Sequence, residues 1–214
     1  MQVGPLNFDE ALENRMTEQL SFDAARTAVL SMDLQSGIVA AYAKEPEELL
    51  GRVAGVLERA RTLGMCVIHL RVGFRPGLPE VSMRNALFGA VRSSSRHQQL
   101  FEGASGEVHP GVGLHQNDIF VVKHRVSAFR GTDLEVILRA KDIDTLVLFG
   151  IATSGVVLST LLEASDADYR LAVIKDCCVD SDTELHTNLI DKIFARRATV
   201  LTAGEFLAAT KLND

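Results

Sequence analysis

Long apolar runs are missing from this chain of 214 residues. No stretch approaches the roughly 20 continuous apolar residues of a membrane-spanning helix, so a membrane protein is not expected. Proline is scarce, at 5 residues, and a composition 47% hydrophobic and 23% charged leaves no reason to expect disorder. Cysteine is limited to Cys66, Cys177 and Cys178. The number is odd, two are adjacent, and no CxxC or Cys/His spacing suggests zinc, which fits reduced thiols in a cytoplasmic protein. An excess of positive charge is also lacking. The formal net charge is -6, and the tightest basic group (Arg92, Arg96, His97) sits in a serine-rich stretch, so no nucleic-acid partner is expected. The first thirty residues hold no basic start followed by an apolar run, so no secretory signal is expected.

What is present is an alternation of short apolar runs with helical patterns. Residues 27–33 read as a strand, followed by a turn-like Gln35-Ser36-Gly37. Residues 47–63 place Leu50, Val53, Ala54, Leu57 and Ala60 at helical spacing, with Gly64 as a C-cap. Residues 65–70 form a nearly continuous apolar strand, the signature of a parallel sheet covered on both faces. The rhythm breaks between residues 72 and 117, a segment rich in glycine and serine that reads as an active-site loop with short helical content around 82–92. It resumes with a strand at 119–123 and a helix opened by Thr132, where Glu135 completes a capping box. A strand at 145–150, a helix at 156–168, a strand at 171–175, a helix at 183–195 and a strand at 199–201 follow. The pattern predicts one three-layer α/β/α Rossmann-like domain over 1–214, with a mostly parallel sheet of about six strands and an N-terminal extension over 1–25.

Ligands of open parallel sheets bind outside the carboxyl ends of the strands. Three features fall there: Asp33, Lys123, and the turn Gly150-Ile151-Ala152-Thr153-Ser154-Gly155. Alone, Asp33 reads as a helix cap or solvated acid and Lys123 as a solvated strand-end charge. Together at neighbouring strand ends they would hold each other charged and could move a proton. The turn enters a helix whose free N–H groups favour negative charge.

The residues Ala28-Val29-Leu30-Ser31-Met32-Asp33-Leu34-Gln35, the run from Val122 through Lys123 to Leu134, Leu146-Val147-Leu148-Phe149-Gly150-Ile151-Ala152-Thr153 and Val173-Ile174-Lys175-Asp176-Cys177-Cys178 resemble, in order and spacing, the isochorismatase-like (cysteine hydrolase) family. That family includes nicotinamidases, N-carbamoylsarcosine amidohydrolases and isochorismatases. The resemblance covers about residues 26–205 and implies that Asp33 relays protons beside Lys123. It also implies a cis peptide at Ile151–Ala152, with the Ala152 and Val156 N–H groups forming an oxyanion hole.

The departure is at Val156. Amidase members read Gly-x-x-Thr-x-x-Cys, with cysteine as nucleophile, and counting from Gly150 and Thr153 this chain has Val156 in the cysteine's position. Cys66, Cys177 and Cys178 follow or begin other strands, and Ser154 is the best-placed substitute nucleophile. True isochorismatases also lack the cysteine, and their aspartate protonates an enol-ether carbon. The resemblance therefore implies a small-molecule hydrolase, with acid-catalysed vinyl-ether cleavage by Asp33 and Lys123 as its favoured chemistry. The alternatives are an inactive family member that binds or scaffolds, and an amidohydrolase with a substitute nucleophile. Gln35, Arg71, Phe74, Arg75 and Phe129 are candidate substrate-binding residues, and Arg84 flanks the same loop. Family nicotinamidases bind a metal through an Asp-x-His pattern that residues 73–80 lack, and His69 and His97 are isolated, so neither metal nor organic cofactor is expected. The resemblance further implies a homo-oligomer, dimer or tetramer.

Overall fold

The structure, a computed structural model, describes residues 22–210, so most of the N-terminal extension expected over 1–25 lies outside the described residues. Six strands, β1 (Thr27–Met32), β2 (Cys66–Val72), β3 (Ile119–Lys123), β4 (Thr145–Gly150), β5 (Arg170–Ile174) and β6 (Thr199–Leu201), form one sheet in the order β3-β2-β1-β4-β5-β6. Every pairing is parallel. β1 and β4 are buried along their whole length, as expected of central strands covered on both faces. The flanking helices are α1 (Ser36–Tyr42), α2 (Pro46–Thr62), α3 (Ala86–Arg92), α4 (Ser95–Gln98), α5 (Leu134–Ala140), α6 (Leu158–Asp166), α7 (Thr183–Lys192) and α8 (Ala203–Ala209). The α/β architecture and the six-stranded parallel sheet are those expected from the sequence.

Local chemistry explains the element ends. α2 opens on Pro46, carries Glu47 and Glu48 in its first turn and ends with Arg59 and Arg61, which match the helix dipole. Gly64 follows in the left-handed region (φ 81°), and its N–H donates to the Arg61 carbonyl at 2.9 Å. Residues 35–37, expected as a turn, instead lead into α1. A Cβ at Gly37 would approach the Leu100 carbonyl oxygen to 2.8 Å, so the glycine admits a neighbouring segment rather than ending the helix.

The capping box expected at Thr132 and Glu135 is not formed. α5 begins one residue later, with Asp133 as N-cap, so Glu135 lies one position short of the reach-back site and pairs with Arg139 at 2.7 Å. Such a box does head α8, between Thr202 and Glu205. The helix expected from residue 156 begins at Leu158, because residues 153–157 form an irregular turn in which Gly155 has φ -99° and ψ -105°.

The long connection between β2 and β3 holds α3, α4 and three single 3-10 turns. It folds back on the molecule through a small apolar cluster of Val72, Val81, Phe88 and Val91, beside the main core. Gln35 ties it down. The Gln35 amide donates to the carbonyls of Val72 (3.0 Å) and Gly106 (2.8 Å) and accepts from the Val72 N–H (2.7 Å).

Candidate active site

The strand order reverses between β1 and β4, and crevices form at such switch points. A cavity of about 350 Å³ lies there, lined among others by Asp33, Val72, Lys123, Ile151, Ala152 and Val156. Four strand ends build it. Asp33 follows β1, Val72 and Lys123 close β2 and β3 as paired residues, and Ile151 follows β4. Gly150 permits this convergence. Its φ is 150°, and a side chain there would collide with the Met32 carbonyl oxygen, which accepts the Ile151 N–H at 3.1 Å.

Asp33 adopts a left-handed backbone (φ 56°), a conformation aspartate enters more readily than most residues. Its N–H donates to the Leu70 carbonyl at 2.8 Å. The carboxylate is buried, and Oδ2 accepts from Lys123 Nζ at 2.8 Å while Oδ1 has no hydrogen-bond partner. Burial pushes the Asp33 carboxyl above the usual carboxylate range, and the Lys123 charge only partly opposes it. Lys123 is 1% exposed, and its ammonium also donates to the carbonyls of Arg125 and Val126, each at 3.1 Å. All three of its N–H donors are therefore used.

Val156 is buried and its side chain lies on the cavity wall beside the ion pair. The Ile151–Ala152 bond is cis. Among the described residues no acceptor receives the Ala152 N–H. Ser154 also lines the cavity, but its N–H donates to Asp180 Oδ2 at 2.7 Å, and the Asp182 N–H donates to Asp180 Oδ1 at 3.4 Å. Those bonds hold Asp180 below the usual range, outweighing its partial burial, which leaves it a poor base for a serine nucleophile. None of the three thiols lines the cavity. Burial raises all three, Cys178 to about 12, and the Cys178 thiol donates to the Ile174 carbonyl at 3.4 Å.

The other sequence candidates scatter. Gln35 is fully buried behind the cavity and spent on the long connection. Phe129 packs against Tyr169, ring centroids 6.0 Å apart. Phe74 backs the cavity wall, edge-on to Phe88 and Phe101 at 5.6 Å each. Arg71, Phe74 and Arg75 line a separate surface hollow behind Phe101, where Arg71 pairs with Glu107 (3.4 Å) and Arg75 with Glu80 (3.5 Å). Sequence reasoning missed the apolar wall contributed by Ile38, Leu87, Phe88, Val91, Phe101 and Val126. A helical spacing of Leu87, Phe88 and Val91 within the irregular segment was the available signal. Among the described residues no group of three His, Cys, Asp or Glu side chains is placed to hold a metal ion.

A parallel α/β sheet with an acid–lysine pair and a backbone turn at its switch point is the framework of a small-molecule enzyme site. Comparison with known proteins makes the class specific. The isochorismatase domain matches residues 27–205. The isochorismatase family protein YecD of Escherichia coli O157:H7 is 34% identical over 194 residues, covering 89% of this chain and 99% of that protein. Maleamate amidohydrolase of Pseudomonas putida is 27% identical and covers 78% of each chain. The structure of an isochorismatase family protein from Burkholderia thailandensis superposes with a TM-score of 0.76 at 26% identity, over 90% of this chain and 98% of that one. The chain belongs to the isochorismatase family of hydrolases.

Proposed function

We propose that the protein hydrolyses a small molecule by acid catalysis, without a covalent enzyme intermediate, using Asp33 as the proton donor. The observation that carries this reading is the buried Asp33 carboxyl, which lines the cavity, is pushed upward and has one oxygen without a hydrogen-bond partner. A carboxyl that keeps its proton to higher pH than a solvated one is suited to general-acid work beside a substrate. In enol-ether cleavage, the O–H of Asp33 gives its proton to the enol carbon and the C=C electron pair forms the new C–H bond. Water then adds to the resulting oxocarbenium carbon and returns a proton to the Asp33 carboxylate. The hemiacetal collapses to a carbonyl compound and an alcohol. Lys123 steadies the carboxylate that Asp33 becomes once its proton is given up.

Val156 in the nucleophile position favours this route over thiol chemistry. An inactive member has no need of a buried acid with an unsatisfied oxygen beside a cavity, which favours the hydrolase reading over a scaffold. The reading includes a single-domain, cytoplasmic homo-oligomer, supported by free thiols and by the family.

The test is hydrolysis of isochorismate and phenyl vinyl ether by the wild-type protein and by Asp33→Asn. The expected result is turnover of one or both, reduced at least about a hundredfold in the variant. Turnover undiminished in Asp33→Asn overturns the proposal, as does no turnover of any enol ether.

A further inference from the structure

We propose that this cavity accepts an uncharged, largely apolar molecule and discriminates against ligands bearing a carboxylate. The inference rests on the reading of this cavity as the substrate site, and it names the class of substrate.

Among the described residues Lys123 is the one cation lining the cavity, and its three donors are committed to Asp33, Arg125 and Val126. A ligand carboxylate would have to displace one of these buried partners. The nearest arginines are also held elsewhere. Arg71 and Arg75 pair with Glu107 and Glu80, while Arg92 donates to the Val81 carbonyl (2.7 Å) and Arg125 to the Glu80 carbonyl (3.0 Å). None of the four lines the cavity. The Asp33 carboxyl on the cavity wall repels a ligand carboxylate whenever it is ionised. Beyond the ion pair, the polar side chains on the wall are Tyr42 and Ser154, and the remaining side chains are mostly apolar. A carboxylate buried there meets no uncommitted cationic side chain among the lining residues and loses its water, whereas an apolar ring gains by leaving water. At about 350 Å³ the cavity lies near the lower end of small-molecule sites, roughly 300–1,000 Å³.

Leu87 offers a way to reverse this preference. It lines the cavity yet is 59% exposed, so an arginine there can extend from the rim without being forced into the core.

The experiment uses a matched, unreactive pair, phenetole (ethyl phenyl ether) and 4-ethoxybenzoate, with dissociation constants from isothermal titration calorimetry on wild type and Leu87→Arg. Phenetole is expected to bind wild type at least about tenfold more tightly than 4-ethoxybenzoate, and Leu87→Arg is expected to close or invert that gap. Equal or tighter binding of 4-ethoxybenzoate to wild type overturns the inference, and so does the absence of phenetole binding at millimolar concentration. A gap unaltered by Leu87→Arg removes its assignment to this cavity. Because neither probe reacts, the result is independent of turnover. Phenetole selectivity without hydrolysis of any enol ether sinks the catalytic reading alone. Asp33-dependent hydrolysis with 4-ethoxybenzoate preferred, or with the dicarboxylate isochorismate turned over in preference to phenyl vinyl ether, sinks the selectivity alone.

Discussion

Among the described residues Lys123 is the only charged group within bonding distance of Asp33, and Lys123→Met separates its electrostatic role from its structural one. Without the ammonium, the force that lowers the Asp33 carboxyl is gone while burial, the larger cause of its rise, remains. Hydrolysis that depends on protonated Asp33 declines as pH rises through its folded pKa. The alkaline limb of kcat/KM in Lys123→Met is therefore expected to move to higher pH, with a loss of about 3 kcal/mol in stability from the broken buried pair. An unmoved limb means that Asp33 is not the titrating acid. The same upward shift carries a stability sign. The fold binds the Asp33 proton more readily than the unfolded chain, so this contribution is full below the usual carboxylate pKa of 3.8 and lost as pH rises through the folded value. Gly150→Ala is a sharper structural test. The added methyl meets the Met32 carbonyl oxygen at a backbone angle that disfavours a side chain, and a loss of roughly 3 kcal/mol or more is expected in thermal unfolding. Asp33, Lys123 and Gly150 were all legible in the sequence because each ends or follows an apolar run. The spent donors of Lys123 were not legible, since two of its acceptors are main-chain carbonyls whose direction only the fold sets.

At the scale of elements, the strands were easy to read and the segment between β2 and β3 was not. β1, β3, β4 and β6 are nearly uninterrupted apolar runs between polar turns, so their periodicity alone locates them within a residue or two. The connection has no such period because it is built of short helices and turns, held by a small apolar cluster and by side-chain bonds to the main chain. Gln35 makes three of these bonds, which pin residues 72 and 106 to the start of α1. Gln35→Leu keeps the bulk and removes every bond, leaving the Val72 N–H and two carbonyls without these partners. A cost of about 2–4 kcal/mol is expected in urea unfolding, with an unchanged slope if only stability is affected. Because the same connection supplies Leu87, Phe88, Val91 and Phe101 to the cavity wall, ligand affinity should fall together with stability. Stability lost with full affinity retained would mean that the wall is held by its own apolar cluster rather than by Gln35. The α5 start illustrates the limit of short motifs. Thr132 and Glu135 have the spacing of a capping box, yet the Thr132 hydroxyl donates to the Ala128 carbonyl at 2.7 Å and the helix begins one residue late.

For the whole molecule, the pH dependence of folding should be governed near neutrality by a group far from the cavity. His69, in the middle of β2, is fully buried, and its Nε2 lies 3.0 Å from Asp118 Oδ2 while Nδ1 has no partner. Arg61 on α2 grips the same carboxylate through two bonds, at 3.0 and 2.7 Å, so the cluster joins a helix, a central strand and the approach to β3. In the sequence His69 looks isolated because its partner lies 49 residues away. Burial lowers the His69 pKa below its usual 6.5 and outweighs the pull of Asp118. The unfolded chain therefore takes up a proton near pH 6.5 that the fold refuses, so stability is full above that pH and falls as pH drops toward the folded value. Asp118 acts in the same direction only at more acidic pH, because its own pKa lies below 3.8. One such group changes stability by at most about 1.4 kcal/mol per pH unit, or roughly 3–6 °C in Tm for a chain of this size. His186, also lowered but only half-buried, adds a smaller share. His69→Gln retains an amide donor for Asp118 and cannot titrate, so its Tm should fall more gently than that of wild type between pH 7.5 and 5.5. Parallel slopes for the two proteins would assign the acid sensitivity to His186 or another group, and His186→Gln would then be the variant that flattens it.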